Sequence, residues 1–205
     1  MKISVIMQSF LGNYEMRPAD LGNLLIRAID SFLSQNFIDS ELIIVSDGCN
    51  ETISIVEDYY GPQLQNGLIK LIKLPRTGPF KGIVRQKGIE AASGEIICGL
   101  DSDDFFKPGH LASIAAGFTP EVDWVYFNSW LVPNDIKGVD HLFQCDGTIE
   151  RMNLSNIAWR RNLPVTWEGC DTRQDNKFFI PQLLALPKRK KIFGCGYAVT
   201  NVQIV

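Results

Sequence analysis

A chain of 205 residues with a 45% hydrophobic fraction can bury a sizeable core, and fits one α/β domain or one with an elaborated C-terminal third. Its formal charge of -3 and pI near 5.4 exclude a global electrostatic footprint for nucleic acid, and no apolar run approaches the ~20 residues of a membrane span. The five cysteines include no Cys-x-x-Cys pair, and the spacing of the two histidines, His110 and His141, supports no metal centre. Reduced thiols in a cytoplasmic setting are the simplest account. Met1-Lys2 leads straight into an apolar stretch with no signal-peptide pattern, and a peripheral contact with a membrane surface stays compatible with the composition.

Ile3 to Met7 reads as an opening strand. Past a polar insertion from Gly12 to Asp20, the residues Leu21, Leu24, Leu25, Ala28, Ile29, Phe32 and Leu33 recur at helical spacing, with Asp20 as N-cap. Leu42-Ile43-Ile44-Val45 is a second buried strand, stopping at Ser46-Asp47-Gly48-Cys49-Asn50. A helix near Thr52 to Tyr60 ends at Gly61-Pro62. Leu68 to Leu74 is a half-exposed strand, Lys81 to Ala92 a helix, and Ile96 to Leu100 a strand buried on both faces. Lys107-Pro108-Gly109 leads into a helix carrying Leu111, Ile114, Ala115 and Phe118. Trp124 to Phe127 is a strand continuing through Trp130, and loops, short strands and one helix fill Asn134 to Asn162.

This alternation predicts a doubly wound, mostly parallel sheet, in which ligands sit outside the carboxyl ends of the strands. Gln8-Ser9-Phe10, Ser46-Asp47-Gly48 and Asp101-Ser102-Asp103 should therefore converge on one rim. Asp101 and Asp103 would point the same way from an extended backbone, roughly 6.5 Å apart along the strand. With Asp104 they place three like charges in four residues. A hard divalent cation, its shell completed by phosphate oxygens, would offset that repulsion. A solvated acidic turn before a helix accounts for the same residues equally well.

The ordered motifs resemble those of the family 2 glycosyltransferases. Ser4-Val5-Ile6-Met7-Gln8-Ser9-Phe10 resembles their opening strand, with Gln8 where proline is usual, and Ala28-Ile29-Asp30-Ser31-Phe32-Leu33-Ser34-Gln35 their first helix. Ile43-Ile44-Val45-Ser46-Asp47-Gly48-Cys49 is similar to a Val-Asp-Asp-Gly-Ser turn, with Ser46 for the first aspartate. Val84-Arg85-Gln86-Lys87-Gly88-Ile89 resembles Ala-Arg-Asn-x-Gly-Ile, and Leu100-Asp101-Ser102-Asp103-Asp104 followed by Pro108-Gly109 resembles the DxD segment. Together they cover residues 3 to about 118.

The resemblance implies a GT-A fold: an α/β, Rossmann-like mixed and mostly parallel sheet flanked by helices. It implies a single domain over residues 1–205, with 1–118 binding the nucleotide sugar and 119–205 facing the acceptor. It also implies an inverting hexosyl-type transfer from a nucleotide-diphosphate sugar, UDP-linked by expectation, to a hydroxyl of a carbohydrate or glycan acceptor. Ser9, Phe10, Asp47, Gly48, Lys81, Arg85, Asp101 and Ser102 would contact the donor, Asp47 by accepting an N–H of the base, Lys81 and Arg85 by facing the pyrophosphate. Asp103, with Asp101, would ligate Mn²⁺ or Mg²⁺, a Lewis acid for the departing diphosphate. The family's base is usually an aspartate in a Glu-Asp pair before an apolar helix. Gln174-Asp175 is the nearest match, making Asp175 the general base, although Pro181 would interrupt a helix starting there.

Asp171 competes for that role, and Asp175 also suits an N-cap. Trp130 and Trp167 fit an acceptor platform or, more simply, core packing. Lys188-Arg189-Lys190-Lys191 fits an anionic surface or a solvated basic turn, and His110 fits capping or packing. Two other readings remain: a catalytically silent sugar-nucleotide-binding module, and a sugar nucleotidyltransferase. The second lacks the Gly-rich phosphate loop expected after the first strand.

Overall fold

The computed structural model describes residues 1–12, 20–78, 82–133, 140–170 and 175–202. Strand β1 (Ile3–Ser9) leads to α1 (Leu21–Leu33), β2 (Ser40–Asp47), α2 (Asn50–Tyr59), a short α3 (Gly61–Gln65), β3 (Ile69–Leu74), α4 (Gly82–Ala91) and β4 (Ile96–Gly99). The predicted N-cap is in place: the Asp20 carboxylate accepts the Asn23 N–H. Gly61-Pro62 stops one helix as expected but also starts the next, because proline is tolerated in a first helical turn, where its missing N–H has no partner to lose.

β1 to β4 are mutually parallel in the order β4-β1-β2-β3. Strand alternation sorts their side chains into two cores. Ile3, Val5, Met7, Leu42 and Ile44 pack with Leu25, Ile29 and Phe32 of α1. Ile6, Ile43 and Val45 face α4, whose Gly88 lies so close to the sheet that a Cβ there would come 2.5 Å from Ile6 Cγ2. At the opposite end of the sheet, Glu41 is buried and holds Ser4 Oγ (2.6 Å), the Ser93 N–H (2.7 Å), Lys2 (3.2 Å) and Lys70 (3.0 Å).

The rest of the chain is built differently. β5 (Phe105–Phe106), α5 (His110–Gly117), β6 (Trp124–Tyr126), β7 (Ser129–Pro133), β8 (His141–Phe143), β9 (Ile157–Arg160), α6 (Asp175–Leu184), β10 (Arg189–Lys191) and β11 (Tyr197–Val202) follow, with 3₁₀ turns at Ile149–Arg151 and Leu154–Asn156. β9 pairs antiparallel with both β4 and β6, extending the main sheet to the order β10-β6-β9-β4-β1-β2-β3. A second sheet runs β5-β11-β7-β8.

The strand expected from Trp124 through Trp130 is in fact two, one in each sheet; the chain crosses between sheets at Phe127-Asn128. α6 begins at Asp175 and carries Pro181 inside it, so the proline does not end the helix. All five cysteines are free and buried, and no helix among the described residues is long and apolar enough to cross a membrane.

Candidate active site

Because β1, β2 and β4 are parallel, their C-terminal ends meet on one side of the sheet. The register aligns Ser9 with Ser46 and Ile6 with Gly99, and the Leu100 N–H reaches Ile6 O at 3.0 Å. The three predicted loops thus share one rim.

Asp47 ends β2 and is buried, yet its carboxylate is well provided for. It pairs with the Arg76 guanidinium and accepts the Thr77 N–H (2.7 Å) and Thr77 hydroxyl (2.8 Å). Gly48 follows at φ +64°, where a Cβ would come 2.5 Å from the Arg76 nitrogen. Ser46, in place of a second carboxylate, closes the turn: its hydroxyl donates to Cys49 O (3.0 Å) and accepts the Cys49 N–H (3.3 Å). Arg76 also lies 3.7 Å from the centre of the Phe10 ring, a cation–π stack. Ser9 points inward, its hydroxyl 2.8 Å from that of Thr52.

The acidic segment does not remain extended beyond β4. The Asp104 N–H bonds back to Asp101 O at 3.1 Å, closing a turn that sends one of the three carboxylates inward. Asp101 and Asp103 stay partly exposed, Asp101 with its carboxylate 3.8 Å from the Arg85 guanidinium. Arg85 comes from α4 and is itself buried, 4.7 Å from the centre of the Trp167 ring. Asp104 instead turns into the protein. It accepts the Tyr197 hydroxyl (3.0 Å) and the Thr200 N–H (2.8 Å), and burial, then the Asp101 and Asp103 charges, push its pKa up.

Phe10, Arg76, Asp47 and Gly48 thus form one group and Arg85, Asp101, Ser102 and Asp103 another at the same end of the sheet, while the Ser9 side chain faces α2. Lys81, Asp171 and Gln174 lie outside the described residues. Asp175 opens α6. Trp167 is buried and stacks on Phe179 at 4.4 Å, so it belongs to the core. Trp130 instead lines a cavity of about 350 Å³ with Lys107, Leu142 and Phe193, a group that includes none of the acidic turn. His110 is fully buried among Phe106, Phe127 and Tyr197, as packing requires.

Arg76 and Thr77 escaped sequence reasoning, although they follow β3 after Pro75 alone and that position was the available signal. Arg27, Tyr197 and Thr200 escaped it too, with no local signal to find them. Among the described residues no three metal-ligating side chains cluster. Asp101 and Asp103, both partly exposed on one turn, are the oxygen donors suited to a hard cation whose remaining ligands are phosphate oxygens and water.

The sequence profile of Glycosyl transferase family 2 matches residues 20–155, more than half of the chain. The chain belongs to this family. An uncharacterized glycosyltransferase of Nostoc sp. is 31% identical over 141 residues, 68% of this chain and 40% of the relative. A glucosyl-dolichyl phosphate glucuronosyltransferase of Haloferax volcanii is 26% identical over 200 residues, 86% of this chain and 58% of the relative. The family 2 chain thus spans about half or less of the first of these and somewhat more of the second.

Among solved structures, TarS residues 1–349 of S. aureus in complex with UDP-GlcNAc superimposes with a TM-score of 0.73 at 18% identity, over 100% of this chain and 60% of that one. The mannosyltransferase PcManGT of Pyrobaculum calidifontis, in complex with GDP-Man and Mn²⁺, gives 0.66 at 15% identity, over 97% and 56%. These similarities support the GT-A fold expected from the motifs, a mixed and mostly parallel sheet flanked by helices.

Proposed function

We propose that this chain forms a single GT-A domain that transfers a sugar, with inversion, from a UDP-sugar to a hydroxyl of a glycan acceptor. Residues 1–118 hold the donor and 119–205 face the acceptor. The observation that carries the reading is that Asp47 and the Asp101–Asp103 turn lie at the carboxyl ends of parallel strands on either side of β1, with Arg85 of α4 beside Asp101. The UDP-GlcNAc bound by TarS supports it, and the GDP-Man bound by PcManGT supports a nucleotide-sugar donor without choosing the base.

Asp47 is oriented by Thr77 and Arg76 to accept a base N–H, and Phe10 supplies an apolar surface beside it. Arg85 places a guanidinium beside Asp101, where donor phosphates would meet both. Asp101 and Asp103 would hold Mn²⁺ or Mg²⁺, which when bound supplies Lewis-acid stabilisation of negative charge on a diphosphate. The base assigned to the acceptor hydroxyl is Asp175, at the start of α6.

A panel of UDP- and GDP-linked sugars, assayed with Mn²⁺ for donor turnover, tests the reading. Turnover of at least one UDP-sugar supports it. Binding of UDP without turnover of any donor would leave only a sugar-nucleotide-binding module.

A further inference from the structure

We propose that Tyr197 is a positioning residue for the acidic turn, using the buried Asp104 carboxylate as a fastener so that Asp101 and Asp103 are presented to a cation and diphosphate. The proposal rests on the donor-site reading above and adds a role for a strand far away in sequence. The Tyr197 hydroxyl accepts the Asp101 N–H at 3.0 Å and donates to Asp104 Oδ2 at 3.0 Å, so one oxygen ties both ends of the turn. Asp104 Oδ1 takes the Thr200 N–H at 2.8 Å, which uses both carboxylate oxygens inside the protein.

The middle of the turn is held as well. Asp103 O accepts Arg27 Nη2 at 2.6 Å and the Thr200 hydroxyl, and the same Arg27 nitrogen reaches Thr200 Oγ1 at 2.9 Å. The backbone is therefore gripped at Asp101 and Asp103 by β11 and α1, while both residues stay partly exposed. The Tyr197 ring has its own reason to stay put, packed edge-on against Phe106 at 5.7 Å and His110 at 6.1 Å. Removing the hydroxyl therefore removes the fastening without emptying the core. A turn left free would sample other geometries, and a cation needing two carboxylates at fixed spacing would lose affinity.

The test measures Mn²⁺ binding in the presence of UDP by electron paramagnetic resonance, and metal-free UDP binding by calorimetry. Thermal unfolding of each variant is followed alongside. Tyr197→Phe should weaken Mn²⁺ binding by about tenfold or more, with metal-free UDP affinity within about twofold of wild type because Asp47 and Phe10 are untouched. Asp104→Asn, which keeps an oxygen for the Thr200 N–H, should weaken it less, and the double variant should lose less than the sum of the two, since the Tyr197–Asp104 bond is shared. Mn²⁺ binding unchanged in Tyr197→Phe overturns the proposal. So do additive losses in the double variant, or a parallel loss of metal-free UDP binding. A wild-type protein that binds UDP equally with and without Mn²⁺ instead overturns the donor-site reading, and the positioning role with it.

Discussion

The two ends of the rim are assembled in different ways. At Asp47 the hydrogen-bond and ion-pair partners of the carboxylate come from the neighbouring strand's end, Arg76 and Thr77, in a turn shaped by Ser46 and Gly48. At the acidic turn the restraints come from Tyr197 and Thr200, with Asp101 and Tyr197 separated by 96 positions. The first end can form as soon as β2 and β3 pair. The second must wait for β11 to enter a sheet between β5 and β7, a long-range contact with a larger loop-closure cost. The two ends of the rim thus form from contacts of very different range along the chain.

Perturbations of each region should therefore separate. The largest effect is expected at Asp175, the residue proposed as base: Asp175→Asn should cut transfer by about 10²- to 10⁴-fold while leaving donor affinity within about twofold. Steady-state kinetics at saturating donor checks this, and undiminished transfer would move the base role to Asp171.

Glu41 tests the base of the parallel sheet, remote from the rim. Glu41→Ala should cost about 3 kcal/mol in urea unfolding, because Ser4 Oγ and the Ser93 N–H lose a buried acceptor. Burial opposes the charge of Glu41, but hydrogen bonds from Ser4, Ser93 and Lys70 outweigh it and hold its pKa well below the usual carboxylate range. Its stabilisation is accordingly full above the unfolded value of about 4.3 and declines as pH falls below it. UDP binding by the folded variant should stay within about twofold of wild type.

Gly48→Ala works at the base end. A side chain at φ +64° against the Arg76 backbone should cost about 1–2 kcal/mol and weaken metal-free UDP binding several-fold, leaving the acidic turn intact. Wild-type affinity in that variant would separate Asp47 from nucleotide binding.

The smallest effect concerns His110, inside the distant half. Burial lowers its pKa to about 3, so between the unfolded value of 6.5 and that pH the unfolded chain binds a proton the folded one does not. Stability from this residue is lost as pH falls through that window, by at most about 1.4 kcal/mol per pH unit. His110→Asn retains an acceptor for the Gly196 N–H and should flatten the fall in stability between pH 6.5 and 5.5. An unchanged slope would show that His110 titrates in both states.

The same contrast explains what the sequence made legible. β1, β2 and β4 are apolar runs bounded by turn residues, each buried on both faces, and α1 carries a clean amphipathic stripe, so their positions and the shared rim could be read directly. β9 is four residues, Ile-Ala-Trp-Arg, whose strand character comes from lying between β4 and β6 rather than from any period of its own. The aromatic run from Trp124 hid the crossing between two sheets, because each half is buried for a different reason. Pro181 looked like a helix stop, yet α6 continues to Leu184 with Phe179, Ile180 and Leu183 all fully buried; packing outweighs one lost backbone bond. The acidic turn was visible as a motif, whereas its fastening by Tyr197 was not, since no local pattern records a partner so far along the chain.

The most direct measurement is a calorimetric titration of UDP into the wild type and Asp103→Ala, each with and without Mn²⁺. A donor site at this rim predicts that Mn²⁺ tightens UDP binding to the wild type by at least about tenfold and leaves Asp103→Ala at the metal-free affinity. Equal tightening in both proteins, or none in either, would contradict it.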